Sequence, residues 1–343
     1  MQHVLIAGGG PAGAAAAIAA RLNGSSVTLI DKNKGPHHKV CGEFLSPAGR
    51  ECLEQLGVWD RFSALGPCRI TRCQLHLGSH TKKWIFPESA WGLSRLRLDQ
   101  LLIDRAAGLG AAVSRGEIFD RQKQDCANEP VVMAYGRKAC ASGRNRLFGF
   151  KAHFEGPSDD TVDLFFDRFG YIGVSGIENR LTNICGIACE TTLRAHEFDF
   201  DRIIRRSPAM AERLNHLSRS MRWIVTGPIV FSSPRSHAGR DNVYPAGDAL
   251  AFIDPFTGSG ILNAIATGSI AGLSAARRLP ASEYVRTCDS LFGTAFMISP
   301  VLRYLAEHEL LYALSPFLPS QLLFRWTRAR LDRSTRLAAG TFL

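Results

Sequence analysis

No stretch of this 343-residue chain reaches the roughly 18 consecutive apolar residues that a bilayer-crossing helix needs. The opening residues, MQHVLIAGGG, lack a cationic leader and a small-residue cleavage site, and run straight into an apolar strand. A cytoplasmic protein is expected. The nine cysteines are an odd number with no repeating spacing, which speaks against a disulfide framework and for reduced thiols. Basic residues form no run interleaved with aromatics, so nucleic-acid binding is not expected. The formal charge of +10 still favours anionic partners such as nicotinamide phosphates, acidic substrates or a phospholipid surface. Internal repeats and low-complexity segments are missing too. What is present, 45% apolar and 21% charged residues, is the composition of a folded protein long enough for two packed domains.

HVLIAGGGPAGAAAAIAARLNGSSVTLIDK reads as a buried strand (Val4 to Ala7), a glycine turn, an Ala-rich helix and a second strand (Val27 to Ile30) closed by Asp31, which is one βαβ unit. A second helix follows from Leu98, Leu101, Leu102 and Ala106 at helical spacing, with Gly108 and Gly110 as its stop. Between Leu147 and Ala188 the pattern changes to short β-rich runs broken at Gly156-Pro157 and Glu178-Asn179. From Asp241 the chain returns to strand, loop and small-residue helix. The expected fold is therefore α/β: a discontinuous Rossmann-like dinucleotide-binding domain (1–66, 92–146 and 236–280), an inserted antiparallel β-sheet substrate domain (67–91 and 147–235) and a C-terminal helical segment (281–343). In that last segment Leu302, Leu305, Leu310 and Leu314 stand among charges, and Arg328, Arg330, Arg333 and Arg336 follow. It reads either as a cap completing a core or as a cover over an apolar cavity or an anionic membrane surface.

Gly8, Gly10 and Gly13 form G-x-G-x-x-G between a strand and a helix, and Asp31 ends the next strand. Each position has a mechanical reason: a tight turn, close backbone approach to a pyrophosphate, and close helix-to-strand packing. The pyrophosphate would lie at the helix start, and Asp31 would accept from a ribose hydroxyl while repelling a 2′-phosphate. FAD and NAD both fit that site.

Four stretches decide between them: GGGPAG (8–13), KVCGEFLSP (39–47), LSRLRLD (93–99) and YPAGDALAFIDPFTGSGI (244–261). Through them the chain resembles the two-dinucleotide-binding-domain flavoproteins, in particular their geranylgeranyl-reductase-like and aromatic-ring-monooxygenase-like branches. The resemblance implies that non-covalent FAD is bound by Gly8, Gly10, Pro11, Ala12, Gly13 and Asp31 at the adenosine end. Lys39, Cys41, Gly42 and Arg95 would stand along the cofactor, with Arg95 near the pyrophosphate. Gly247, Asp248, Pro255, Gly258, Gly260 and Ile261 would carry the flavin, Asp248 accepting from ribityl hydroxyls and the helix start stabilising negative charge on the reduced ring. VVMAYGRKA (131–139) matches a further flavoprotein turn, but with Tyr135 where an aspartate is usual.

The resemblance places Cys41 on a loop facing flavin and substrate, where it either takes part in chemistry or packs as a small apolar side chain. Glu43 is either a general acid or a solvated loop charge. Both are the candidate catalytic residues. Arg95 has an ordinary alternative as a helix-start arginine. His37 and His38 read as a solvated loop with no metal, since further ligands at metal spacing are missing, and Cys185 and Cys189 read as core.

With one G-x-G-x-x-G and no second nucleotide-binding unit, NAD(P)H would serve as a transient electron donor. The resemblance leads to an FAD-dependent monooxygenase that hydroxylates an aromatic or polyketide-like, apolar small molecule with NAD(P)H and O2. A reductase of isoprenoid or lipid double bonds is the alternative, and a non-catalytic flavin-binding scaffold is the third. The absence of W-x-W-x-I-P, of which KWIFP (83–87) is only an echo, speaks against a halogenase.

Overall fold

The computed structural model describes residues 2–78, 80–120, 128–137, 146–167, 170–234 and 242–307. The apolar opening run forms β1 (His3–Ala7), the Ala-rich run forms α1 (Pro11–Leu22) with proline in its first turn, and β2 (Ser26–Asp31) follows in parallel register with β1. The chain then leaves this sheet for β3 (Phe44–Leu45), α2 (Gly49–Gln55), α3 (Trp59–Ala64) and the long hairpin of β4 (Cys68–Leu77) and β5 (His80–Gly92). It returns through α4 (Arg95–Gly108), β6 (Ala112–Arg115) and β7 (Val131–Met133).

A second excursion builds β8 (Leu147–Glu155), β9 (Thr161–Asp167), β10 (Gly170–Gly176) and β11 (Leu181–Cys189). Three short helices, α5 (Glu190–Ala195), α6 (Phe200–Ile203) and α7 (Pro208–Arg213), and strands β12 (Ser218–Arg219) and β13 (Ile224–Ile229) complete it. The first sheet is finished by β14 (Val243–Pro245), then covered by α8 (Gly260–Ala276) and α9 (Ala281–Glu307).

The first sheet runs in the order β6, β2, β1, β7, β14, with every pairing parallel. Strand order reverses between β1 and β7, so a crevice opens beyond their carboxyl ends, where ligands bind in doubly wound sheets. The second sheet is not antiparallel throughout, as the sequence leads one to expect: β4 pairs with β9 in parallel. Those two strands reach the sheet on separate excursions, so no hairpin dictates their direction. Residues 44–45, within the stretch assigned by sequence to the dinucleotide-binding domain, pair with β5 in this second sheet.

The two faces of the second sheet differ as a period of two requires. On β8, Phe150, Ala152 and Phe154 join Ile172, Ile184, Leu193, Ile203 and Leu214 in a core under α5 to α7. The opposite face looks toward the first sheet.

Helices α1 and α8 touch almost backbone to backbone. A Cβ on Gly268 would stand 2.1 Å from the carbonyl oxygen of Ala12, and one on Gly272 would stand 2.1 Å from that of Ala16. Glycine and alanine four residues apart on both helices permit that approach. It fixes the start of α8 next to the turn that opens α1. The C-terminal segment is helical as far as Glu307, and its arginines from Arg328 onward lie outside the described residues.

Candidate functional site: a cavity between the two sheets

One cavity of about 860 Å³ runs from the glycine turn to the inner face of the second sheet. Gly8, Gly10, Pro11, Ala12 and Asp31 line one end, and Lys39, Cys41, Gly42, Glu43 and Arg95 line the middle. Gly247, Asp248, Pro255, Gly258, Gly260 and Ile261 line the wall opposite. Among the expected cofactor-binding and catalytic residues only Gly13 stands back from it, and its role is packing: a Cβ there would lie 1.8 Å from the carbonyl oxygen of Gly8.

The first glycines divide their work. Gly8 has φ +113, and an added Cβ would meet the carbonyl oxygen of Ala134 at 2.3 Å, so this turn admits only glycine. A Cβ on Gly9 would fall 2.5 Å from Oδ2 of Asp31, which shows that the carboxylate leans over the turn. Its other oxygen accepts from the backbone and side-chain amides of Asn33 at 3.1 and 2.9 Å. Gly10 is different: the nearest atom to its Cβ position is Nη2 of Arg95 at 3.7 Å, so its backbone is bare toward the cavity. A pyrophosphate has room there, at the start of α1.

Two cations face that place, held by one buried acid. Asp99 accepts from Arg95 Nε at 2.7 Å and Nη2 at 3.0 Å, and from Lys39 Nζ at 2.9 Å. Burial would raise the Asp99 pKa, but the adjoining guanidinium and ammonium hold it below the usual carboxylate range. Burial likewise works against the charge on Arg95, yet Asp99 outweighs it and keeps the guanidinium cationic. Asp248 stands near Arg95 and Arg137; burial raises its pKa, and those two charges offset only part of the rise.

At the far end, Gly258 has φ +65 just before α8 begins, and no atom lies within 4 Å of a Cβ on Gly260. Asn263, only 8% exposed, lines the cavity with its Oδ1 unpartnered, as does Arg137 with its Nη1. Beyond them the walls become apolar and aromatic, with Leu75, Trp84, Phe86, Phe166, Tyr171 and Phe256. The residues present therefore fit FAD along its length: a bare turn and cations for the pyrophosphate, a carboxylate at each sugar-like portion, and unpaired polar atoms beside an open helix start for the ring.

The loop between Lys39 and Leu45 closes the middle. Asn183 Nδ2 donates to the carbonyl oxygen of Cys41 at 3.1 Å. The Cys41 sulfur accepts from the Glu43 amide at 3.4 Å and is close enough to Arg95 to add to the forces that keep the guanidinium cationic. Glu43 is not a solvated charge. It is fully buried, bonded to the Lys151 ammonium through Oε1 and to His153 Nε2 through Oε2 at 2.7 Å. Burial would raise its pKa, but the His153 hydrogen bond and the Lys151 charge outweigh this and lower it. Because the carboxylate is ionised, Nε2 of His153 is the donor.

Nor is His38 wholly solvated: its ring meets that of His153 edge to face at 5.1 Å, and its Nδ1 is buried without a partner. Ligand atoms of His38, Glu43 and His153 lie within 4.8 Å of one another. Lys151 and His153 already occupy both Glu43 oxygens, and a buried ammonium repels a cation, so the cluster is a hydrogen-bonded one. Cys185, read by sequence as core, lines the cavity and faces Lys151 across the β8–β11 pairing. Sequence reading passed over Lys151, His153, Asp99, Arg137 and Asn263. The signal for the first two was there: FKAHF alternates apolar and polar residues, so a lysine and a histidine share the inner face.

Residues 1–140 match the family model described as FAD binding domain. That match covers the first two fifths of the chain and marks it as carrying an FAD-binding domain. Relatives include the flavin-dependent halogenase armH2 of Armillaria mellea, 26% identical over 82% of this chain and 66% of that protein. Digeranylgeranylglycerophospholipid reductase 1 of Methanothermobacter thermautotrophicus is 25% identical over 91% of this chain and 87% of its own length. Rifampicin monooxygenase of Rhodococcus hoagii is 28% identical over 40% of this chain and 29% of its own length. The flavoprotein thus spans about two thirds or less of some of these relatives. In fold it is similar to the flavin-dependent brominase Bmp2, with a TM-score of 0.76 at 17% identity over 99% of this chain and 97% of that one. No helix among the described residues is long and apolar enough to cross a membrane.

Proposed function

We propose that this FAD-dependent oxidoreductase is a monooxygenase that hydroxylates an apolar, aromatic small molecule, with NAD(P)H as transient electron donor. The observation that carries the reading is the continuity of one cavity, from the glycine turn and Asp31 to an aromatic wall. Bound FAD would supply two-electron transfer and oxygen activation at the point where that wall begins. Gly10, Arg95 and Lys39 would hold the pyrophosphate, Asp31 and Asp248 the hydroxyl-bearing portions, and Gly260 with Asn263 the ring. Phe86, Phe166, Tyr171 and Phe256 would exclude water and orient a flat substrate beside it. Cys41 lines the same cavity, its sulfur accepting from the Glu43 amide.

Halogenation, which the missing W-x-W-x-I-P speaks against, returns as a second reading because fungal halogenases are among the relatives. The reductase relative keeps double-bond reduction as a third. One assay separates them. With FAD-loaded protein, NADPH and a panel of phenolic substrates, the proposal expects hydroxylated product that appears only in air and does not depend on halide. A halide requirement would favour halogenation, and turnover confined to anaerobic conditions would favour the reductase.

A further inference from the structure

Lys151 and His153 share the inner sheet face with Asn183 and Ser175, and neither belongs to a cofactor motif. A fully buried lysine is costly unless it is paired, and its partner, Glu43, holds a left-handed backbone (φ 53) unusual for a residue with a side chain. The arrangement is over-determined, which is how strained conformations persist at functional sites.

What it holds in place can be read from the hydrogen bonds. The Glu43 amide donates to the Cys41 sulfur at 3.4 Å, and its Oε1 accepts from the Arg95 amide at 2.7 Å. Its carbonyl accepts from the Leu93 amide at 3.1 Å. One carboxylate thereby joins the turn that carries Cys41 to the helix start that carries Arg95, and both of those groups line the cavity. Lys151 and His153 reach that carboxylate from β8, a strand of the other sheet.

We propose that Lys151 and His153 are positioning residues for the flavin reaction: by clamping Glu43 from the second sheet, they set where the Cys41 sulfur and the Arg95 guanidinium stand against the cofactor. The inference rests on the FAD reading of the cavity. It assigns the two residues no contact with substrate and no share in bond making. Their action is to keep a turn and a helix start in register across the boundary between the sheets.

The test uses the full-length, FAD-loaded protein and two readouts that a purely structural role leaves alone: the visible spectrum of bound FAD, and the rate at which iodoacetamide alkylates Cys41, quantified at that residue by mass spectrometry. His153→Leu removes the donor to Oε2; it should change the Cys41 rate by about threefold or more, because thiol reactivity follows its local electrostatics, and shift the flavin bands. His153→Gln, which keeps a donor, should return both toward the parent. The double variant Glu43→Gln with Lys151→Met removes both charges together and so keeps the interior neutral. It should show the same two changes. Parent-like spectrum and alkylation rate in folded, FAD-loaded His153→Leu overturn the proposal, even should the double variant fail to fold. Failure of the parent protein to bind FAD overturns the underlying site reading instead.

Discussion

Arg95 and Asp99 lie one helical turn apart on α4 and meet through two hydrogen bonds, from Nε at 2.7 Å and from Nη2 at 3.0 Å. The pair is nearly shut off from water, with side-chain exposures of 15% and 10%. Its geometry leaves Nη2 of the guanidinium 3.7 Å from the Cβ position of Gly10. Asp99→Asn would leave two cations with a neutral partner. Removing one member of a buried pair costs about 3–5 kcal/mol. Lower thermal stability of the apoprotein and weaker FAD retention on dialysis are the expected outcomes, and unchanged retention would detach Arg95 from the cofactor.

Gly10 and Gly13 should fail in different ways. Gly10→Val has space in the apoprotein but fills the bare approach, so a folded protein without FAD is expected, judged by normal circular dichroism and loss of the yellow absorbance. Gly13→Val places a side chain against the Gly8 carbonyl and should abolish folding. Full flavin occupancy in Gly10→Val would contradict the assignment of the turn.

Acid should weaken the fold through two buried carboxylates. Glu43 and Asp99 have folded pKa values lowered from 4.5 and 3.8, so each contributes stability that is present above those unfolded values. That contribution is lost as pH falls through the lower folded values. Asp248 has the opposite sign: its raised pKa favours the fold most below 3.8 and less as pH rises through the folded value. Urea midpoints measured between pH 6 and pH 3 should therefore drop, and the drop should shrink in the Glu43→Gln, Lys151→Met double variant. An equal drop in both would remove Glu43 from the account.

Asp248→Ala should lower FAD occupancy or shift the flavin potential while the apoprotein keeps its secondary structure. A titration of apoprotein with FAD, followed by flavin fluorescence, reads this directly. Parent-like affinity and potential would take Asp248 out of the site.

Cys41→Ala should stay close to the parent in turnover, since the lost sulfur acceptor is worth about 1 kcal/mol. Cys41→Leu should damage turnover by crowding the loop. Loss of turnover in Cys41→Ala with FAD still bound would give the thiol a chemical part.

The parallel sheet was readable because its signals are local: an apolar strand, a glycine turn whose spacing has a steric meaning, and a closing Asp31. That Gly258 and Gly260 stand at the start of a helix was readable for the same reason. Lys151 and His153 were not, because what gives them meaning is Glu43, 108 and 110 residues away in sequence. Alternation showed that they share a face, and only the packing of that face against the loop at 39–45 shows a partner. The parallel pairing of β4 with β9 was hidden likewise, since two strands in separate excursions carry no turn that states their direction. Glu43 was open between acid and solvated charge because burial of a loop residue depends on what closes over it.

The contact of α1 with α8 also has a temporal side. Ala12 and Gly268 are 256 positions apart (268 − 12), and a ribosome adding about 5–20 residues per second needs roughly 13 to 50 s to cover that interval. Throughout it, a helix with seven alanines among its twelve residues has emerged without α8. The nascent chain must keep that stripe from its neighbours, so depletion of holding chaperones should reduce the soluble yield, whereas slower codons upstream of residue 260 should lengthen the exposure and reduce it further.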